Sequence, residues 1–124
     1  MRARRIARVV SRIYDDALRR HAITAAQMNL LVGIAKMEPV APAQLGRFFD
    51  LEKSTLSRNL TRMRQAGWIS SKKSGRGFEL RLSAGGRKKL DAIYPDWRGA
   101  QKNVEELLGK TAVEGLVKIA SIGE

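Results

Sequence analysis

Residues 53 to 67, Lys-Ser-Thr-Leu-Ser-Arg-Asn-Leu-Thr-Arg-Met-Arg-Gln-Ala-Gly, hold the densest set of side chains able to recognise a partner. At 100° per residue, Leu56, Leu60 and Met63 fall on one narrow stripe. Ser54, Ser57, Arg58, Thr61, Arg62 and Gln65 fan across the opposite side. A helix of this kind is held down by its apolar stripe and turns hydroxyl and guanidinium donors outward. Those donors suit phosphates and base edges in a major groove. An ordinary solvated amphipathic helix is the alternative for this segment taken alone.

The placement of charge favours recognition. The chain has 124 residues and a formal net charge of +12, distributed as +5 over residues 1 to 21, zero over 22 to 40, +6 over 41 to 83 and +1 over 84 to 124. A polyanion-binding protein concentrates cations around its reading element in this way, so nucleic acid is the expected partner. There is no cysteine and one histidine, His21, which removes thiol chemistry and any multi-ligand zinc site; no metal and no cofactor are expected. Adjacent pairs Asp15/Asp16 and Glu105/Glu106 diverge on a helix and make poor carboxylate dyads, so no catalytic set is found. No apolar run approaches the roughly 20 residues that cross a bilayer, and no h-region follows the first arginines, so a cytoplasmic protein is expected.

The surrounding elements follow from periodicity and punctuation. Ile6, Val9, Val10, Ile13, Tyr14, Ala17 and Leu18 predict an amphipathic helix over residues 4 to 20. Thr24-Ala-Ala-Gln27 is a capping box that opens a helix running to about Met37, with Leu30, Leu31 and Ile34 inward. Glu38 to Pro42 breaks it, and Pro42 starts a short helix carrying Leu45, Phe48 and Phe49. A turn at Asp50 and Leu51 joins that helix to residues 53 to 67, which is a helix-turn-helix arrangement. Gly67 ends the second helix. A hairpin follows, with Ile69 to Lys73 extended, Ser74-Gly-Arg-Gly77 turning, and Phe78, Leu80 and Leu82 alternating with Glu79 and Arg81. Arg76 at its tip is placed to enter a minor groove.

Ser83 caps a helix predicted over 84 to 108, whose Leu90, Ile93, Trp97, Ala100, Val104 and Leu107 keep heptad spacing, with Pro95 inside it expected to bend it. Gly109 stops it, and Thr111-Ala-Val-Glu114 opens a last helix. The far end of the long helix, the last helix and the N-terminal helix leave an apolar surface without an intrachain partner, which predicts a homodimer.

These residues resemble the MarR family of winged-helix transcriptional regulators over nearly the whole chain. The resemblance rests on Leu18 through Leu31, Ser54-Thr-Leu-Ser-Arg-Asn-Leu60, Gly67-Trp-Ile69, Leu82-Ser-Ala-Gly-Gly-Arg87 and Pro95-Asp-Trp-Arg-Gly-Ala-Gln101, in the right order and spacing. It implies a mainly α fold with a small β-hairpin wing: one domain, 1–124, with a winged helix-turn-helix over 22–83 flanked by dimerisation helices over 1–21 and 84–124. It implies DNA-reading positions at Ser54, Thr55, Ser57, Arg58 and Arg62 and at Arg76 of the wing, with Lys53, Lys72 and Lys73 as non-specific charge. It also implies a small aromatic effector, for which Tyr14, Tyr94 and Trp97 are the candidate lining, although aromatics at helical spacing equally serve a core or a dimer seam. The functional expectation is a homodimeric, sequence-specific regulator on a pseudo-palindromic operator, a repressor relieved by a small ligand; the alternative is a non-specific architectural nucleic-acid-binding protein. Three departures stand out. Asp50 replaces the usual turn glycine, the wing is short, and the chain starts directly at its first helix. His21 is expected at the surface of a helix end.

Overall fold

The computed structural model describes residues 2–109, with side chains from residue 4 onward. Its elements are α1 (Arg2–Arg19), α2 (Ala25–Met37), α3 (Pro42–Phe48), α4 (Lys53–Gln65), β1 (Ile69–Ser74), β2 (Gly77–Leu82) and α5 (Ala84–Leu108). The chain divides into two compact units, residues 26–92 and residues 1–25 with 93–124, and α5 contributes to both. The helix expected from Thr111 lies outside the described residues.

In the unit of residues 26–92, α2 supplies the centre of the core. Leu30, Leu31 and Ile34 are fully buried, joined by Leu45 of α3, Leu56, Leu60 and Met63 of α4, and Ile69, Leu80 and Leu82 of the hairpin. Burial of one such aliphatic side chain contributes about 1.5–3 kcal/mol, so this shared cluster, more than helix propensity, fixes the short helix α3. Pro42 occupies the first turn of α3, where a missing N–H costs nothing, and the Gln44 side chain accepts a hydrogen bond from the Ala41 N–H at 3.0 Å. Asp50 turns the chain between α3 and α4 at φ 51°, a left-handed conformation that an aspartate side chain tolerates better than most.

The hairpin is antiparallel, with Ile69 opposite Leu82 and Ser74 opposite Gly77. Its strands run one residue further at each side than the sequence suggests, leaving a two-residue turn, Gly75-Arg76. Gly75 supplies the positive φ (57°) that the first central position of such a turn requires. A pairing not anticipated from the sequence extends the sheet: the Val40 N–H donates to the Leu80 carbonyl at 3.1 Å and the Leu80 N–H to the Val40 carbonyl at 2.8 Å. The segment read as a plain helix break is also an edge of the sheet. The alternation predicted for β2 holds at Leu80 and Leu82 but not at Phe78, which is 54% exposed. Period two assigns a face; it does not say that anything covers the end of the strand.

Gly67, at φ 80°, releases the chain from α4 as expected. The Ser83 hydroxyl donates to the Gly67 carbonyl and accepts from the Gly86 N–H at 3.0 Å, so the predicted cap of α5 also ties the helix start to the strand entry. Gly85 and Gly86 let this helix start lie against the backbone of Gly67 and Trp68. Lys89 sits over the Trp68 ring, 5.1 Å from its centroid.

In the other unit, Leu18 and Ile23 are buried, as are Ile93, Ala100 and Val104 of α5. The heptad positions divide: Leu107 is 57% exposed, and Ile6, Val9 and Tyr94 are exposed too. The helix runs through Pro95 without interruption to Leu108, and Gly109 follows at φ 79°. His21 departs from expectation. It is not a surface residue: its side chain is 14% exposed, and its Nε2 lies 2.5 Å from Asp96 Oδ2. The same oxygen accepts from Arg20 Nε at 2.9 Å. Hydrogen bonds from His21 and then Arg20 hold the Asp96 carboxyl below the usual carboxylate range.

A candidate nucleic-acid interface

Helix α4 is fastened from beneath and bare above. Leu56 and Leu60 are 6% exposed and Met63 is fully buried, while Lys53, Ser54, Ser57, Arg58, Arg62 and Gln65 are exposed. Thr55 and Thr61 are half-buried along the border. The two-faced reading of this segment therefore holds at each of these positions. Rotation of the helix is set by more than the apolar stripe. Buried Gln27 of α2 donates from Nε2 to Asn59 Oδ1 at 3.4 Å, and Asn59 Nδ2 donates to the Thr55 carbonyl at 3.1 Å. In the sequence Gln27 has a local role as part of a capping box; its cross-helix partner is 32 residues away and leaves no local signal.

Cations on this surface are free to work outward. Lys53, Arg58, Arg62, Arg64, Lys72, Lys73 and Arg76 are all exposed, and their side chains make no hydrogen bond or ion pair with another described residue. Arg76 stands at the turn, and Lys72 faces Glu79 across the hairpin, where Glu79 also accepts from the Ser74 hydroxyl at 3.1 Å. Between α4, the start of α3 and the hairpin runs a cleft of about 390 Å³ whose lining includes Lys53, Ser57, Arg64, Ser71 and Phe78. Arg64 and Phe78 of this lining were not among the residues expected from the sequence. Arg64 had a signal: on the helical wheel it falls beside Lys53 and Ser57, at the border of the polar face.

Such a surface presents guanidinium, ammonium and hydroxyl donors in a row of about three helical turns, with Glu52, Asp50 and Glu79 the nearby acids. It offers no acid, base or nucleophile set converging on one point. Among the described residues no group of three His, Asp or Glu side chains is placed to hold a metal. No described helix is long and apolar enough to cross a membrane.

Of the three aromatic residues considered for an effector, two stack on each other. Tyr94 and Trp97 stack with centroids 6.4 Å apart, and Arg98 lies 5.8 Å over the Tyr94 ring. Tyr14 is half-buried on α1, and its hydroxyl pKa is raised by burial and by Glu105.

Comparison with known proteins gives one consistent answer. Residues 22–77 match the MarR family. The M. tuberculosis transcriptional regulator MosR superposes with a TM-score of 0.80 at 32% identity, over 98% of this chain and 89% of MosR. MosR in complex with DNA gives a TM-score of 0.75 at 28% identity, over 98% of this chain and 93% of that one. A mutant MarR from E. coli complexed with operator DNA shares the fold, with a TM-score of 0.83 at 20% identity, over 96% of this chain and 88% of that one. An uncharacterized HTH-type transcriptional regulator of Bacillus cereus is 24% identical over 86 residues, 69% of this chain; the match spans 58% of that relative's length. These proteins are regulators of transcription rather than enzymes. With the helix-turn-helix, the hairpin and the long helix α5 in the order the resemblance implied, the chain belongs to the MarR family of winged-helix transcriptional regulators.

Proposed function

We propose that this protein is a sequence-specific DNA-binding regulator that acts in the cytoplasm as a homodimer on a pseudo-palindromic operator. The observation that carries the reading is the α4 surface: an apolar stripe sunk in the core with seven exposed donors and no side-chain partners for its arginines. Helix α4 lies in the major groove, where Arg58 contacts guanine and Ser54, Thr55, Ser57 and Arg62 set register on bases and phosphates. Arg76 reaches the flanking minor groove, and Lys53, Lys72 and Lys73 add sequence-independent attraction. Residues 22–83 form the reading part of a single MarR-like domain, and residues 1–21 and 84–124 the dimerisation part. The exposed Ile6, Val9, Tyr94 and Leu107 support that division. The complexes of MosR with DNA and of MarR with operator DNA support the same partner class.

Regulation follows by repression that a small aromatic ligand relieves, with Tyr14, Tyr94 and Trp97 as its contacts. Selection of duplexes from a random pool by the purified protein tests the reading. The expected product is an inverted repeat with half-sites about 10 base pairs apart. Arg58→Ala costs about 1–3 kcal/mol on that operator and relaxes one position per half-site, whereas Lys72→Ala weakens all sequences alike. Enrichment of no motif, with equal affinity for random DNA, would establish the architectural alternative instead.

A further inference from the structure

Helix α1 carries a second cationic surface that the reading helix and wing do not explain. On its helical wheel Arg4, Arg5, Arg8 and Arg12 fall within an arc of about 100°, Ile6, Val10 and Ile13 lie on the other side, and Val9 is at the border. Arg4, Arg8 and Arg12 repeat at four-residue spacing, so their Cα atoms follow one another by about 6 Å along the axis. All four arginines are exposed, and no side chain among them has a hydrogen bond or ion pair with another described residue. Arg8, Ser11 and Arg12 line a shallow groove of about 450 Å³ together with Asp15 and Arg19. Asp15 marks the end of the stripe, and Asp16 is already paired with Arg19 at 2.6 Å.

This layout works against the helix itself. Cations crowd the N-terminal half, where the helix dipole is positive, and the first turn contains no acid. Like charges four residues apart repel. A charge pattern that opposes local stability is what a site for an external anion looks like. The choice of cation narrows the anion. Every lysine-or-arginine position among the first 35 residues is arginine, the side chain whose planar fork matches phosphate in two parallel hydrogen bonds; lysine first appears at Lys36.

We infer that the arginine face of α1 binds the phosphate backbone of duplex DNA without regard to sequence; the inference rests on the DNA-binding reading given above. A duplex presents a charge about every 1.7 Å along its axis, so guanidinium groups about 6 Å apart along one helix face can each reach a phosphate. Ile6, 39% exposed, faces away from the arginines, so pairing of two subunits through the apolar face leaves the stripe open. A lipid surface is the poorer fit. An interfacial helix needs a free apolar face with large side chains, whereas Val10 and Ile13 are already half-buried and the face is built of valine and isoleucine.

The test measures affinity across a salt series, using the full chain, its selected operator and a random duplex. In the Arg4→Gln, Arg8→Gln, Arg12→Gln triple variant the slope of log K against log salt flattens by about 0.9 for each phosphate no longer neutralised, near 3 per subunit. The operator-to-random ratio is unchanged. The corresponding triple lysine variant keeps the slope, and Arg8→Gln alone gives about one third of the effect, which covers the case of a misfolded triple variant. An unaltered slope in variants of a wild type that still selects its operator overturns the inference and leaves the regulator reading intact. A wild type that binds no duplex overturns that reading as well. Tighter binding of wild type to phosphatidylserine vesicles or polyglutamate than to random duplex, at matched salt, assigns the stripe to those partners and overturns the inference.

Discussion

Alanine at Gly86 and at Gly99 should shift stability in opposite directions, although both sites lie in α5. A β-carbon on Gly86 falls well inside contact distance of the Trp68 carbonyl oxygen, 2.9 Å from the carbonyl carbon and 2.8 Å from Leu82 Cδ1, against about 3.5–4.0 Å for an ordinary carbon contact. The obstruction is backbone, so no rotamer change relieves it. Helix propensity favours the alanine by about 1 kcal/mol. Forced overpacking opposes it with about 1–3 kcal/mol, and displacement of the Gly86 N–H from Ser83 Oγ removes a cap worth about 1 kcal/mol. The net effect of Gly86→Ala is a loss of about 1–3 kcal/mol. At Gly99 a β-carbon meets nothing within 4 Å, so Gly99→Ala keeps the gain of about 1 kcal/mol. Thermal melts at one fixed protein concentration should therefore separate the two variants by roughly 10 °C, at about 4 °C per kcal/mol for a chain of this size. A Gly86→Ala protein melting at or above wild type, or two variants shifting the same way, would refute the argument that the wing base is pressed onto the start of α5.

Three further outcomes are expected. Asp50→Val lowers stability by about 1–2 kcal/mol because a β-branched residue resists the left-handed turn, while Asp50→Gly stays within about 0.5 kcal/mol; urea midpoints decide. Leu60→Ala costs about 2–5 kcal/mol in the same assay and Arg62→Ala less than about 0.5 kcal/mol, which separates the two faces of α4 independently of DNA. Asp96 has a depressed folded-state pKa, so its contribution is present above the unfolded value of about 3.9 and is lost as pH falls through the lower folded value. Urea midpoints below about pH 4 should consequently fall more steeply for wild type than for Asp96→Asn.

Much of the fold was legible because its signals are local. The Leu56, Leu60, Met63 stripe, Ser83 before α5, Gly67 and Gly109 after helices, and even Asp50 as a left-handed turn residue can each be read within a few positions. What escaped is non-local. The partner of Val40 is Leu80, and two nearby prolines disguised a residue that still offers both an N–H and a carbonyl. His21 finds Asp96 only after the chain has returned 75 positions later. Exposure of Phe78 depends on where the lobe stops, which alternation does not encode. The same division applies to the candidate interface. Its cations could be located from one helix and one turn, but the Gln27 to Asn59 bond that sets the roll of α4 needed the packed helices.

The paired bonds between Val40 and Leu80 have a kinetic meaning. Val40 lies just ahead of α3 and Leu80 sits within the wing, so a single stitch joins the entry to the helix-turn-helix and the strand that carries the tip. Amide exchange at the two positions should be matched and slow, set by collective opening rather than local fraying. Helix α3 and the wing are therefore coupled as one block, since bending the wing alone means tearing that stitch.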